Sequence, residues 1–155
     1  MSSLNISIAP ASPADLEEML ALLAAVGLPP DGVAEYLDGF LVARDGAGRL
    51  LGCIGMERYG RLGLLRSAAV APDLQRSGLG SRLTAALLDR AAAAGVEEIA
   101  LLTTTARDFF ARKFGFAEAE RADYEGRLGL SPEWGLPRCS SAVLMVREVR
   151  VSSLT

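Results

Sequence analysis

The chain has 155 residues, half of them hydrophobic and 23% charged, with a formal net charge of −3 and no histidine. That balance suits a globular protein with a real core and lacks the basic footprint of a nucleic-acid or membrane-surface binder. The missing histidine excludes Ser-His-Asp and Cys-His nucleophilic chemistry and histidine-built zinc sites, so a general base has to be a carboxylate, a tyrosine, a cysteine or water.

Residues 5–9 alternate around Ile6 and Ile8 as a short strand. Ser12-Pro13-Ala14-Asp15 is a helix start, with Ser12 as N-cap, Pro13 at the first helical position and Asp15 as capping-box partner. The helix carries Leu16, Met19, Leu20, Leu23 and Val26 on one side, and Gly27 with Pro29-Pro30 ends it. A shorter helix is expected from residue 31 or 32 to 37. Residues 40–44, 50–58 and 63–70 read as strands, separated by Asp45-Gly46-Ala47-Gly48 and by a turn around Tyr59-Gly60-Arg61-Leu62. An alanine-rich helix covers 79–94 and Gly95 closes it. Residues 98–103 form a strand around Ile99, Leu101 and Leu102. A helix from 105 or 106 to 114, stopped by Gly115, and a short strand at 116–119 follow. The stretch 123–139, with Gly126, Gly129, Pro132, Gly135 and Pro137, is expected to be loop, and 142–149 closes as a strand.

The order β-α-α-β-β-β-α-β-α-β-β gives an α/β or α+β domain with a mixed sheet, in which 63–70 and 98–103 are joined by a right-handed parallel crossover. One domain is expected over 1–150, with 151–155 as a tail. The first residues lack the basic-then-apolar layout of a signal peptide and no apolar run is long enough to span a bilayer, so a cytoplasmic protein is expected. A disulfide between Cys53 and Cys139 is not expected in that setting.

The informative stretch is 63–94: an apolar strand, a Pro-broken turn, the loop Gln75-Arg76-Ser77-Gly78-Leu79-Gly80, and a long helix. N–H groups at a helix start have no intrahelical partner, the helix dipole adds partial positive charge there, and glycines let a phosphate approach the main chain. The loop therefore reads as a pyrophosphate cradle.

A strand ending in Val-x-Pro, then Gln-Arg-Ser-Gly-Leu-Gly, then a helix resembles the acetyl-CoA loop of the GNAT N-acetyltransferase superfamily, whose pattern Arg/Gln-x-x-Gly-x-Gly/Ala is filled by Gln75, Gly78 and Gly80. The Phe-Gly-Phe at 114–116 and the element order over nearly the whole chain match as well. The resemblance implies a mostly antiparallel sheet of six to seven strands with about four helices, and direct attack of a primary amine on acetyl-CoA in a ternary complex, without a metal. It implies that main-chain groups of Ala68, Ala69 and Val70 pair with the pantetheine arm and that N–H groups of Arg76, Ser77, Gly78, Leu79, Gly80 and Ser81 hold the pyrophosphate, with Arg76 and Arg82 adding charge. It also allows a homodimer. More narrowly, 64–70, Leu101-Leu102-Thr103-Thr104-Thr105-Ala106, Phe109-Phe110-Ala111-Arg112 and Cys139-Ser140-Ser141-Ala142 resemble the arsenic-operon (ArsN-type) N-acetyltransferases. That implies a small amino-acid-like toxicant as acceptor.

The family pattern breaks at two places. The tyrosine that acts as acid for the leaving thiolate is replaced by Ala111 or, with a one-residue slide, Phe110, and Tyr124 or Tyr59 are the available substitutes. The asparagine at the end of the fifth strand gives way to Thr103, Thr104 and Thr105, whose hydroxyls either bond the pantetheine amides or cap the next helix. Two charges stand out besides. Arg66 lies inside an apolar strand and Glu57 ends the preceding one, diagonal to it if Arg58 pairs with Gly63. The pair reads either as base (Glu57) and carboxylate clamp (Arg66) or as a structural ion pair. Cys139 reads as an acceptor-pocket thiol or a small buried group. The loop with Trp134 reads as a pocket cap, a dimer contact or a plain connection. The competing functional classes are a non-catalytic acyl-CoA-binding regulatory module and a protein or peptide N-acetyltransferase.

Overall fold

The computed structural model describes residues 5–136 and 141–149. In chain order the elements are β1 (Ser7–Pro10), a 3-10 turn (Pro13–Asp15) leading into α1 (Leu16–Val26), β2 (Phe40–Arg44), β3 (Leu50–Tyr59), β4 (Leu62–Val70), α2 (Leu79–Ala93), β5 (Glu98–Thr103), α3 (Arg107–Phe114), β6 (Ala117–Glu118), α4 (Glu125–Leu128) and β7 (Val143–Glu148). The seven strands run in the order β1-β2-β3-β4-β5-β7-β6. Strand β4 is parallel to β5, whereas β1 with β2, β2 with β3, β5 with β7 and β6 with β7 are antiparallel. This is the mixed α/β fold with a mostly antiparallel sheet. No helix among the described residues is long and apolar enough to cross a membrane.

The fold divides into two compact units, one holding the chain through Met56 with Ser67–Leu87, the other Glu57–Arg66 with the chain from Leu88 on. Strands β3 and β4 each contribute to both.

In the first unit, the Ser12 N–H and hydroxyl both donate to Asp15 Oδ2, at 2.8 and 3.2 Å, which starts the helical segment. Arg44 of β2 bridges to Asp15 Oδ1 at 2.6 Å and Glu18 Oε1 at 2.8 Å. The Arg44 hydrogen bond, first among several causes, holds the Asp15 carboxyl below its ordinary range. Met19 and Leu23 of α1 pack with Phe40, Val42, Leu50 and Cys53. The helix expected over 31–37 is absent: residues 31–36 are turns and a short 3-10 turn, Leu37–Gly39, follows. Gly32 sits at a left-handed φ of +80°, which breaks the α-helical run of dihedrals where the expected helix begins.

In the second unit, Leu62 and Leu64 of β4 pack with Ala100 of β5 and Leu144 of β7. The stretch 123–139 departs from the expected loop. It holds the single-turn helix α4, because Leu128 and Trp134 are buried in this same cluster. Trp134 Nε1 donates to Glu125 Oε2 at 2.9 Å, and the Arg121 guanidinium lies 4.6 Å over the indole while donating to the Trp134 carbonyl. Tertiary packing thus orders a segment whose glycines and prolines suggested none.

Candidate functional site

Two clusters hold most of the candidate residues, and each lies within one unit. The first is built from main chain. Strand β4 leaves regular geometry at Ser67, whose φ of +57° is left-handed for a side-chain-bearing residue. Cys53 Sγ donates to the Ser67 carbonyl at 3.5 Å, so Cys53 serves here as a small buried partner to that kink. The parallel ladder to β5 comprises only Leu62 to Leu65, and Ala68, Ala69 and Val70 lie outside it. Their peptide groups form the kind of strand edge that an extended amide-bearing chain can join. Beyond the strand, Gln75 Nε2 donates to the Val70 carbonyl at 3.4 Å, which ties the loop back to its strand.

The loop itself turns through two left-handed residues, Arg76 at φ +70° and Gly78 at φ +91°. The Ser77 N–H is taken by the Leu74 carbonyl, that of Arg82 by Gly78, and that of Leu79, weakly, by the Ser77 hydroxyl at 3.4 Å. The N–H groups of Gly78, Gly80 and Ser81 meet no acceptor among the described residues. They open α2, and the Leu79 side chain anchors the turn in the core while Arg76, Ser77 and Arg82 stay exposed. Donors at a helix start with flanking guanidinium groups form an anion site of phosphate type. A pyrophosphate fits this donor set.

The remaining candidates for the cofactor lie in the second unit. Thr103 Oγ1 accepts the Ala106 N–H at 2.9 Å and so caps the turn into α3, while Thr104 and Thr105 are exposed. Phe110 is buried between Phe109 and Phe116, with ring centroids at 5.0 and 5.5 Å. Ala111 is exposed.

The second cluster is made of buried side chains. Arg66 Nη1 donates to Glu57 Oε2 at 2.7 Å, and neither side chain is exposed. The other carboxylate oxygen, Glu57 Oε1, accepts the Tyr59 hydroxyl and the Ser131 hydroxyl, each at 2.6 Å. Ser131 in turn takes the Glu133 N–H at 3.1 Å, and the Glu133 carboxylate approaches Arg66 Nε to 3.7 Å. Burying these charges is costly unless every lone pair and proton is met, and Glu57 meets that condition with three hydrogen bonds. The sequence pointed to Glu57 and Arg66 but missed Ser131 and Glu133, which come from a segment more than 60 positions away; no spacing rule links them.

Neither substitute tyrosine is free to act as a ready acid. The Tyr124 hydroxyl donates to Glu98 Oε2 at 2.5 Å, and burial, then that bond, push its pKa up to about 12. A thiolate whose conjugate acid titrates near 8.5, roughly, gains a proton from such a phenol only uphill. The Tyr59 proton is donated to Glu57. Cys139 and Ser140 lie outside the described residues, and no three His, Cys, Asp or Glu side chains among those described are grouped to hold a metal ion.

The sequence profile of the Acetyltransferase (GNAT) family matches residues 12–116. The chain belongs to the GNAT acetyltransferase family. The main-chain loop at the start of α2 lies within the matched region. Among solved structures, this GNAT chain superposes on the N-acetylglutamate synthase of Neisseria gonorrhoeae complexed with coenzyme A and N-acetyl-glutamate, with a TM-score of 0.76 and 23% identity. The match covers 97% of this chain but 36% of that one, so the chain spans about a third of the synthase. It also superposes on Rv2747 of Mycobacterium tuberculosis complexed with CoA (TM-score 0.75, 23% identity, 92% of this chain and 98% of that one). The ribosomal-protein-S18-alanine N-acetyltransferase of Escherichia coli gives a TM-score of 0.69 at 19% identity, covering 96% of each chain. At these identities the likeness establishes the fold. No curated protein sequence matches the chain.

Proposed function

We propose that this GNAT enzyme acetylates the primary amine of a small, carboxylate-bearing molecule. The observation that carries the cofactor half is the trio of N–H groups at Gly78, Gly80 and Ser81, which meet no acceptor among the described residues in a turn with two left-handed residues. In this reading the pyrophosphate rests on residues 76–81, with Arg76 and Arg82 beside it. The pantetheine arm pairs with Ala68, Ala69 and Val70, and Thr104, Thr105 and Phe110 stay candidates for cofactor contact from the sequence resemblance alone. Arg66 directly precedes Ser67 and Ala68 in the same strand, which makes it the candidate clamp for the acceptor's carboxylate.

The chemistry needs no covalent enzyme intermediate. The amine nitrogen attacks the thioester carbonyl carbon, the tetrahedral intermediate collapses with C–S cleavage, and the thiolate leaves. The ammonium must first lose a proton. Glu57 is the candidate acceptor of that proton, reached through the hydroxyl of Tyr59 or Ser131, since both its oxygens are covered. Without a tyrosine at position 111, thiolate release draws its proton from solvent.

The amino-acid acceptor agrees with the synthase fold neighbour crystallised with N-acetyl-glutamate, and the sequence resemblance to arsenic-operon enzymes narrows it to an amino-acid-like toxicant. A cytoplasmic enzyme belongs to the same proposal. The second reading, an acyl-CoA-binding module without catalysis, draws on Ala111 where an acid usually stands. Thiol release from acetyl-CoA, followed over a panel of α-amino acids and simple amines, separates the two. Turnover on amino acids supports the proposal; CoA binding with no turnover on any amine supports the module.

A further inference from the structure

The buried cluster places two carboxylates on one guanidinium, and they are held differently. Glu57 stands on β3, accepts three hydrogen bonds and has no exposed side-chain surface. Glu133 stands in the turns after α4, lies 3.7 Å from Arg66 Nε, and is the outermost of the three, with 8% of its side chain exposed against 0% for Arg66 and Glu57. Its neighbours fix the segment independently of its carboxylate: Ser131 bonds Glu57, and Trp134 is anchored in the core by Glu125 and Arg121. Rotation of the Glu133 side chain can therefore leave the guanidinium without unfolding the segment.

We propose that Glu133 is an internal competitor for Arg66, a specificity-determining carboxylate that an acceptor's carboxylate must displace. This rests on the reading of Arg66 as the acceptor clamp. A carboxylate already beside Arg66 keeps the guanidinium charge-compensated while the site awaits substrate. It also sets a threshold that simple amines cannot pass and carboxylate-bearing amines can. If Glu133 covers Arg66 about nine-tenths of the time, the apparent affinity for a carboxylate-bearing acceptor is reduced about tenfold. Arg66 keeps Glu57 as its partner throughout, so displacing Glu133 leaves no unpaired buried cation.

The test uses Glu133→Gln, which keeps the volume and removes the charge, with Glu133→Ala as a second variant if the first misfolds. Thiol release from acetyl-CoA is measured with L-alanine and with ethylamine, which differ by the carboxylate, and with a wider panel of amino acids and their decarboxylated counterparts. The ratio of kcat/KM for the acid to that for its decarboxylated partner is expected to rise about tenfold in Glu133→Gln. In parallel, Trp134, the single tryptophan and the residue next to Glu133, reports L-alanine binding to the CoA-bound protein by fluorescence. Its titration midpoint is expected to fall by a similar factor in the variant. An unchanged ratio and midpoint, or no fluorescence response to a carboxylate in either protein, overturns the competitor role. If neither protein turns over any amine, the catalytic reading fails, and the fluorescence midpoint alone still decides whether Glu133 competes.

Discussion

The loop at the start of α2 and the cluster around Arg66 present charge-recognising groups in opposite ways. The loop offers main-chain N–H groups near the surface, and its hydrogen bonds among the described residues reach no more than five positions along the chain. The cluster offers side chains in a dry interior, and its defining hydrogen bond spans 74 positions. A main-chain site needs only the right dihedrals at a helix start, so it tolerates variation at every exposed side chain. A buried side-chain site needs its closely paired members in place, because removing Arg66 or Glu57 leaves the other with uncompensated charge. The contrast predicts that the first site fails gently and the second abruptly.

The largest effect is expected at Arg66. Arg66→Ala leaves Glu57 buried without its cation and should cost about 3–5 kcal/mol of stability, read from urea unfolding. The double variant Glu57→Leu with Arg66→Met replaces the pair by apolar groups of similar size and should regain most of that loss. Kinetics of the double variant then decide the role. A folded double variant that has lost turnover on carboxylate-bearing amines while keeping it on simple amines supports the clamp. One that keeps wild-type acceptor kinetics reduces the pair to a structural device, and the proposed acceptor chemistry falls with it.

A smaller effect is expected at the loop. Gly78 holds φ +91° with open space around the position of a Cβ, so a substitution is opposed by backbone conformation and not by crowding. Gly78→Val should cost about 1–2 kcal/mol of loop geometry, which is roughly a five- to thirtyfold loss of CoA affinity by titration calorimetry. Unaltered affinity would show that the N–H groups of this turn do not hold the cofactor.

The same contrast explains what the sequence could disclose. Gln75, Gly78 and Gly80 stand close together, and their role depends on local backbone geometry, so strand, turn and helix start were legible with the motif. The seven strands and three of the four helices were legible from periodicity and caps for the same reason. The helix expected over 31–37 failed because Gly32 adopts a left-handed conformation that its neighbours do not announce. Helix α4 was missed because Leu128 and Trp134 gain their burial from β4, β5 and β7, contacts that no window of sequence contains. Glu57 and Arg66 were visible as misplaced charges on adjacent strands. Ser131 and Glu133 were not, since Ser-Pro-Glu-Trp looks like any polar turn until the segment meets Glu57 and Arg66.

The smallest effect concerns Tyr124, the other tyrosine held by a carboxylate. Its pKa is raised to about 12 by burial first and by the bond to Glu98 second, against an ordinary value near 10. The folded state therefore favours the neutral phenol. The stabilisation is fully present below about pH 10 and is lost as the pH rises through 12. Because Tyr124 is only half-buried, its hydroxyl is expected to contribute about 1 kcal/mol at most. Tyr124→Phe should be slightly less stable than the wild type at pH 8, and the gap should narrow between pH 10 and 12 in urea unfolding. A gap that widens with pH would contradict the direction of the shift. Thiol release by Tyr124→Phe should match the wild type, since a phenol that holds its proton to about 12 has no part in protonating the thiolate. A large fall in turnover with stability intact would instead make Tyr124 the missing acid. The chemistry would then extend beyond the two clusters to the Tyr124–Glu98 pair at the start of β5.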